Sequence, residues 1–288
     1  MDPQSLVVLL VMGALAGAIN SAVGSGSLLT LPVLLALGLD PGTAVRTNTM
    51  GMVFSTVGSF FGYRREISAE WRDVRPLVAI VVVTATIGSC LLLVSPPGAL
   101  RVVVPILIVV ALLLVVFQKR LATWIPRRGS GTTVGAAKDA RAIGDVPATR
   151  VGHGGGDSDA GSSAAAYRSP GLMVSMGAAS MYGGYFTAAQ GILYLGLLGA
   201  FTGRSMKSVN AVKNLFSLLV NVMAALVYLV AHFAFGADVR WEGVIAIALG
   251  ALLGGYFGSH LTKRLPEWVL RGTIVVVALL ALVRQILG

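Results

Sequence analysis

The sequence predicts an all-α integral membrane protein of two homologous halves, each of about four helical elements, with the first element of each half broken or re-entrant. Three observations predict it. Hydrophobic residues make up 56% of the 288-residue chain and charged residues 12%, and the mean hydropathy is +0.83, so a soluble core of this size could not hide the apolar surface. The apolar runs mostly reach the roughly 20 residues a membrane helix needs, whereas barrel strands would alternate over about 10. Finally, Trp71, Gly88-Ser89, Pro96 and Leu100-Arg101 recur 170 residues later as Trp241, Gly258-Ser259, Pro266 and Leu270-Arg271. A duplicated membrane unit whose halves enclose a path between them, inverted relative to each other, is an architecture of transporters.

The first run, 5–23, turns small and polar at Asn20 and Ser21, and Gly24, Ser25, Gly26 and Ser27 separate it from the run at 28–38. Ala14-Leu15-Ala16 before Gly17 resembles a leader cleavage site, but Asp2 and the lack of Lys or Arg ahead of it give the wrong charge for a secretory leader. The run is expected to stay as structure. Runs at 44–62, 76–95 and 99–117 are expected spans, and they complete a first repeat, 1–117. From Gln118 to Ser169 the sequence collapses into Gly, Ser, Ala and scattered charge, which cannot repay its ordering entropy and predicts a flexible cytoplasmic linker, 118–169. The second repeat, 170–288, opens with a run at 171–200 broken by Tyr182, Gly183, Gly184, Tyr185, Thr187, Gln190 and Gly191, followed by runs at 208–231, 241–262 and 268–287. Its likeness to the first extends upstream, where Ala44-Val45-Arg46-Thr47 is echoed by Ala211-Val212-Lys213-Asn214.

Neither arm of the second break can cross alone, since 171–182 and 191–200 reach only about 18 and 15 Å of a core about 30 Å thick. Each broken element either crosses as one long interrupted helix or dips in and returns as a hairpin. Hairpins place Arg64, Arg65, Arg72, Arg75, Arg204, Lys207, Lys213, Lys263, Arg264 and Arg271 on one side, against Arg46, Arg101, Arg240 and Arg284 on the other. Crossing helices nearly equalise the two counts. Lys and Arg in short loops mark the cytoplasmic side, so the charges favour inverted hairpins.

All twelve acidic residues lie at span ends, in loops or in the linker. Without an ionisable acid at mid-membrane, a cation substrate and intramembrane acid–base catalysis are both disfavoured. The lone Cys90 excludes an internal disulfide, and His153, His232 and His260 have no partner set, so no metal site and no cofactor are expected. The net charge of +10 reflects basic residues flanking spans, not a nucleic-acid partner.

What remains inside the membrane is neutral hydrogen-bonding chemistry at the breaks. A broken helix exposes N–H groups at the start of the following half-helix, where the dipole suits an anion. The candidate donors are Asn20, Ser21, Gly24, Ser25, Gly26 and Ser27 in the first half, and Tyr182, Gly184, Tyr185, Thr187, Gln190 and Gly191 in the second. Arg46, Thr47 and Asn48 and, correspondingly, Lys213 and Asn214 stand just inside the next span of each half. Two plainer readings compete. Small residues also let helices pack closely, the role expected for Gly250, Gly254, Gly255 and Gly258, and long cationic side chains snorkel to headgroups.

Gly17-Ala18-Ile19-Asn20-Ser21-Ala22-Val23-Gly24-Ser25-Gly26, followed by Leu31-Pro32 and Ala44-Val45-Arg46-Thr47-Asn48, resembles the first signature of the sulfite exporter TauE/SafE family of bacterial membrane transporters. Tyr182-Gly183-Gly184-Tyr185-Phe186-Thr187-Ala188-Ala189-Gln190-Gly191 and Asn210-Ala211-Val212-Lys213-Asn214 resemble its second. The resemblance implies transport of sulfur-containing anions such as sulfite or sulfonates. Ser25-Gly26-Ser27 stands where the family commonly carries a glycine run, which leaves the particular substrate open. The expectation is therefore a secondary transporter, not an enzyme, in the bacterial inner membrane, moving a small anion by alternating access. An anion channel and a non-transporting sensor or assembly subunit are the alternatives. The expected partners are the anion and the lipid bilayer, and homo-oligomerisation is compatible with the sequence.

Overall fold

Prolines and polar caps set where the helices begin. In the computed structural model, which describes residues 1–124, 166–204 and 206–261, the chain forms eight α-helices: α1 (Pro3–Ala22), α2 (Ser27–Ala36), α3 (Pro41–Val94), α4 (Pro97–Trp124), α5 (Pro170–Phe186), α6 (Gln190–Thr202), α7 (Met206–Phe235) and α8 (Trp241–Leu261). Four of them start on Pro, whose fixed φ and missing N–H suit a first turn. Asp2 caps α1 through Ser5 N–H, and Ser169 caps α5 through Leu172 N–H. Of the eight, α1, α3, α4, α7 and α8 are long and apolar enough to cross a membrane. Exposed Val7, Leu15, Val83, Ile87, Val102, Ile106, Val230, Ile245 and Leu253 give the outer surface a lipid-compatible face. The run expected at 268–287 and most of the linker, 125–165, lie outside the described residues. The linker starts later than its composition suggests, because α4 continues through Trp124: helical backbone needs no apolar side chains, and Gln, Lys, Arg, Leu and Ala all favour it.

Straight, the 54 residues of α3 would be about 81 Å long. Yet Asp40, just before it, lies 3.6 Å from Arg101, seven residues after its end. The element therefore doubles back, with its apex in the charged stretch around Glu70, and supplies the two passes expected at 44–62 and 76–95. Its first arm runs alongside α8, with Gly51 against Ile247 and Gly58 against Leu252 and Tyr256. Its second arm runs alongside α5, with Gly177 against Ile80 and Gly88 against Met181 and Tyr185.

The two interrupted elements settle as hairpins. Met1, Asp2 and Ser5 at the start of α1, and Leu37 to Asp40 after α2, line one pocket of about 360 Å³, so this element enters and leaves at the same end of the molecule, here the proximal end. At the opposite, distal end, Tyr167 before α5 and Arg204 after α6 both bind Glu70 at the α3 apex. The two hairpins thus insert from opposite ends. Arg46, Arg101 and Arg240 sit proximally, whereas Arg64, Arg65, Arg72, Arg75 and Arg204 belong to the distal end, as the charge pattern requires of hairpins.

The α1 and α8 backbones lie against each other over most of their length. Gly13 and Gly17 meet Ile247 and Ala251, while Gly250, Gly254 and Gly258 meet Leu10, Ala14 and Ala18. A Cβ at any of these three α8 glycines would strike α1 backbone, and Gly255 lies equally close to Ser55. Close approach of this kind is how membrane helices gain dispersion energy without a hydrophobic driving force.

Candidate functional site

Two half-helices begin at the tips of the hairpins, and the tips touch. In the first, α1 ends at Ala22, Gly24 takes φ +80°, and α2 starts at Ser27. Gly26 lies against the Ala16 carbonyl and the Asn20 side chain, so α2 can fold back along α1 only where no side chain intervenes. In the second, α5 ends at Phe186 and α6 starts at Gln190, with Thr187 and Ala189 at φ +55° and +59°. Positive φ is sterically costly for both, most of all for a β-branched Thr, by about 1–3 kcal/mol each. The Tyr182 hydroxyl holds this turn by donating to the Ala188 carbonyl at 3.0 Å. Gly191 N–H donates to Gly24 C=O at 3.2 Å, and the two glycines are in backbone contact, leaving neither room for a Cβ.

The junction puts the first turns of α2 and α6 side by side, both with their positive dipole ends at the tips. Around it lie side-chain atoms that are buried without a hydrogen-bond partner: Ser21 Oγ, Ser25 Oγ, Asn48 Nδ2 and Gln190 Oε1. A buried polar atom left unsatisfied costs about 1–3 kcal/mol, so such a group calls for an explanation. Ser25, Ser27, Asn48, Thr187 and Gln190 are all at most 5% exposed, which closes the junction to both ends in this conformation. Asn48 has its carbonyl engaged by the Thr30 hydroxyl, so its amide is the free part. Thr187 lies 3.3 Å from Thr49, oxygen to oxygen, which ties the second tip to α3.

Other candidates are brought close but are already committed. Lys213 is fully buried, and its ammonium donates to Asn20 C=O at 2.9 Å, Ser21 C=O at 3.2 Å and Asn214 Oδ1 at 3.0 Å, so all three hydrogens are spoken for. Asn214 also donates to Asn210 C=O and Ser21 C=O, and Asn20 donates to Ser55 Oγ. Thr47 accepts from Arg240 N–H next to the start of α8, a cap rather than a free donor. Gly184 C=O accepts from Ser89 and Tyr228, and its Cα packs on Ala85. Arg46 and Tyr185 stand apart at the proximal end, where Arg46 donates to Asp238 C=O and Thr43, and Tyr185 meets Ser95.

Of a polar stripe on α7, the sequence named only Asn214 as a candidate donor. Asn210, Asn214, Ser217 and Asn221 repeat at helical spacing, and Asn210 Oδ1, Ser217 Oγ and Asn221 Oδ1 are buried without partners. Ser55 and Ser59 on α3 were missed as well; both are buried. The available signal was polar residues at three- and four-residue intervals in an otherwise apolar span. Among the described residues no three His, Cys, Asp or Glu side chains cluster as a metal site. His232 is fully engaged: Trp241 Nε1–H donates to its Nε2, so Nδ1 carries the proton and donates to Ala237 C=O at 2.8 Å.

A family model described as Sulfite exporter TauE/SafE matches residues 9–284. The "Probable membrane transporter protein YfcA" of Escherichia coli (strain K12) is 23% identical over 277 residues, 96% of this chain and 88% of that protein. The "Probable membrane transporter protein ORF9" of Sinorhizobium sp. is 26% identical over 102 residues, 35% of this chain and 39% of that protein. A "Probable membrane transporter protein" of Haemophilus influenzae is 24% identical over 116 residues, 40% of this chain and 46% of that one. No solved structure matches.

Proposed function

Because the chain belongs to the sulfite exporter TauE/SafE family, whose members are multi-pass transporters of the bacterial inner membrane and not enzymes, we propose that it is a secondary transporter of a sulfur oxyanion or organosulfonate. It works by alternating access between two halves of inverted orientation. The observation that carries this reading is the meeting of two opposed hairpin tips amid buried, unpartnered polar atoms. The amide of Asn48 and the hydroxyls of Ser21 and Ser25 are neutral donors, and the amide hydrogens of Gln190 become donors when its side chain turns. Together with the two half-helix N-termini they suit the several acceptor oxygens of a sulfite or sulfonate group. Neutral donors and the two helix N-termini give such an anion a partial charge match.

Transport follows from the closure at both ends. The junction is sealed proximally by the α1–α2 hairpin and distally by the α5–α6 hairpin, so withdrawing one hairpin at a time exposes the same site to alternate sides. The chain has no Gly-x-x-x-x-Gly-Lys-Ser/Thr nucleotide motif, so a gradient drives the cycle. The test is counterflow by the purified protein in proteoliposomes, with sulfite, thiosulfate, methanesulfonate and sulfoacetate as labelled anions. Saturable counterflow with at least one is expected. Flux that never saturates and shows no counterflow would identify a channel instead.

A further inference from the structure

Lys213 poses a problem that anion binding at the tips does not solve. It is fully buried, no carboxylate of the described residues accompanies it, and its ammonium is held by two main-chain carbonyls and one amide oxygen. The carbonyls belong to Asn20 and Ser21 in the last turn of α1, where the helix dipole is negative, and the hairpin tip at Gly24 follows directly. Transporters coordinate coupling cations with this set of groups: the C-terminal carbonyls of a broken half-helix and a neighbouring side-chain oxygen. Here a tethered ammonium fills the place. We propose that Lys213 is a proton-binding site that couples anion movement to proton movement.

The chemistry balances simply. When the site opens to one side, Nζ–H breaks, the proton passes to water as hydronium, and the nitrogen keeps the electron pair as a neutral amine. Capture from water on the other side restores the ammonium. The neutral amine has two hydrogens and a lone pair, so it cannot serve three acceptors, and one of Asn20 C=O, Ser21 C=O and Asn214 Oδ1 loses its hydrogen bond from Lys213. The hold on the tail of α1 loosens with the proton, which links Lys213 to the hairpin that forms one wall of the junction. Electrostatics gives the direction of coupling. A monovalent anion at the tips together with a protonated Lys213 is neutral overall, and so is the empty site with a neutral lysine. Both can reorient without carrying uncompensated charge through a low-dielectric interior, so proton and anion travel together.

Among the described residues, the other titratable groups on the elements around Lys213 do not supply an alternative. On α1, Asp2 is at the far, proximal end. On α3, Tyr63 is a phenol bonded to Asn210; Arg64, Arg65, Glu66, Glu70, Arg72, Asp73 and Arg75 belong to the distal apex, and Arg46 and Cys90 to the proximal part. On α5 and α6, Tyr182 and Tyr194 are hydrogen-bonded phenols, Tyr185 is proximal, and Arg204 is paired with Glu70. On α7 itself, Tyr228 and His232 lie toward the proximal end.

The inference rests on the anion-transport reading, and the experiment separates the two. Purified protein is placed in liposomes containing a luminal pH dye, with methanesulfonate as probe because it stays fully ionised throughout the working range. Inward flow of the anion should acidify the lumen by about one proton per anion, and an acid-outside gradient should concentrate it several-fold inside. Lys213→Arg keeps a charge that cannot be released, so it should lose gradient-driven accumulation. Lys213→Met should lose accumulation too, with folding checked by thermal unfolding. Counterflow without proton movement in the wild type overturns the proton site and leaves the transporter standing, whatever the variants do. Gradient-driven accumulation by well-folded Lys213→Met also overturns it. Absence of counterflow in the wild type overturns both readings.

Discussion

Neighbouring side chains at the junction carry different duties, and bonding rather than residue type separates them. Asn48 and Asn214 each stand in the helix that follows a broken element, yet Asn48 has a free amide and Asn214 is bonded at both ends. If Asn48 and Gln190 contact the anion, Asn48→Leu and Gln190→Met should each weaken binding by about one to two decades, the equivalent of about 1.5–3 kcal/mol for a hydrogen bond to a charged group. Both variants should fold, because each removes a buried polar atom that lacks a partner, although Asn48→Leu also takes the acceptor of the Thr30 hydroxyl. Asn214→Leu should instead lower the thermal unfolding temperature, since it strips donors from the tail of α1. Substrate-dependent thermal stabilisation of the three purified variants checks this, and unchanged dissociation constants in the first two would move the site away from the tips. At this scale the sequence identified the polar residues at the breaks but not their commitments. Composition cannot reveal that Lys213 spends all its hydrogens on Asn20, Ser21 and Asn214, because the first two acceptors come from a helix about 190 residues away.

The helical elements were largely legible, since each of the described spans coincides with an apolar run and starts near Pro, Ser or Asp. The direction of the broken elements was not legible from the arms themselves. Their lengths fit a crossing or a return equally, and only the distribution of Arg and Lys argued for a return. The contacts that decide it lie at the hairpin mouths. Distally, Arg204 makes a two-pronged ion pair with Glu70, and Tyr167 donates to the same carboxylate at 3.0 Å. Glu70 holds Arg204 above its ordinary pKa through this hydrogen bonding, and burial pushes the Tyr167 phenol up, so both remain protonated donors across the physiological range. The Arg204 and Glu70 side chains are 26% and 19% exposed, which limits the pair to about 1 kcal/mol, or about fivefold in a two-state equilibrium. Glu70→Gln should therefore favour opening at the distal end. In a background with Cys90 replaced by Ser, a cysteine at Ser180 should react several-fold faster with an impermeant thiol reagent applied from that side. An unchanged rate would mean that the ion pair braces the hairpin without gating it.

For the whole molecule, orientation follows from combining the contact geometry with the charges. The basic residues at the α3 apex and at Arg204 mark the distal end as cytoplasmic by the positive-inside rule. From the proximal end, α3 goes down and back and α4 is long enough to reach the distal end; α5 and α6 dip in from the distal end and return, α7 crosses to the proximal end and α8 crosses back. On this orientation we propose that the segment between Trp124 and Pro170 starts and finishes on the cytoplasmic side. Residues 268–287 form a further apolar run of spanning length, which would carry the C-terminus to the opposite side. A reporter inserted near Gly154 should be active in the cytoplasm, and one fused after Gly288 should be active outside it. Four full crossings per half would instead place both reporters on one side. That outcome would contradict the shared Glu70 contact of Tyr167 and Arg204, because a crossing element cannot bring its two ends to one carboxylate. Opposite sides for the two reporters would tie the hairpin geometry to the membrane itself, and with it the requirement that a site between opposed tips is reached from one face at a time.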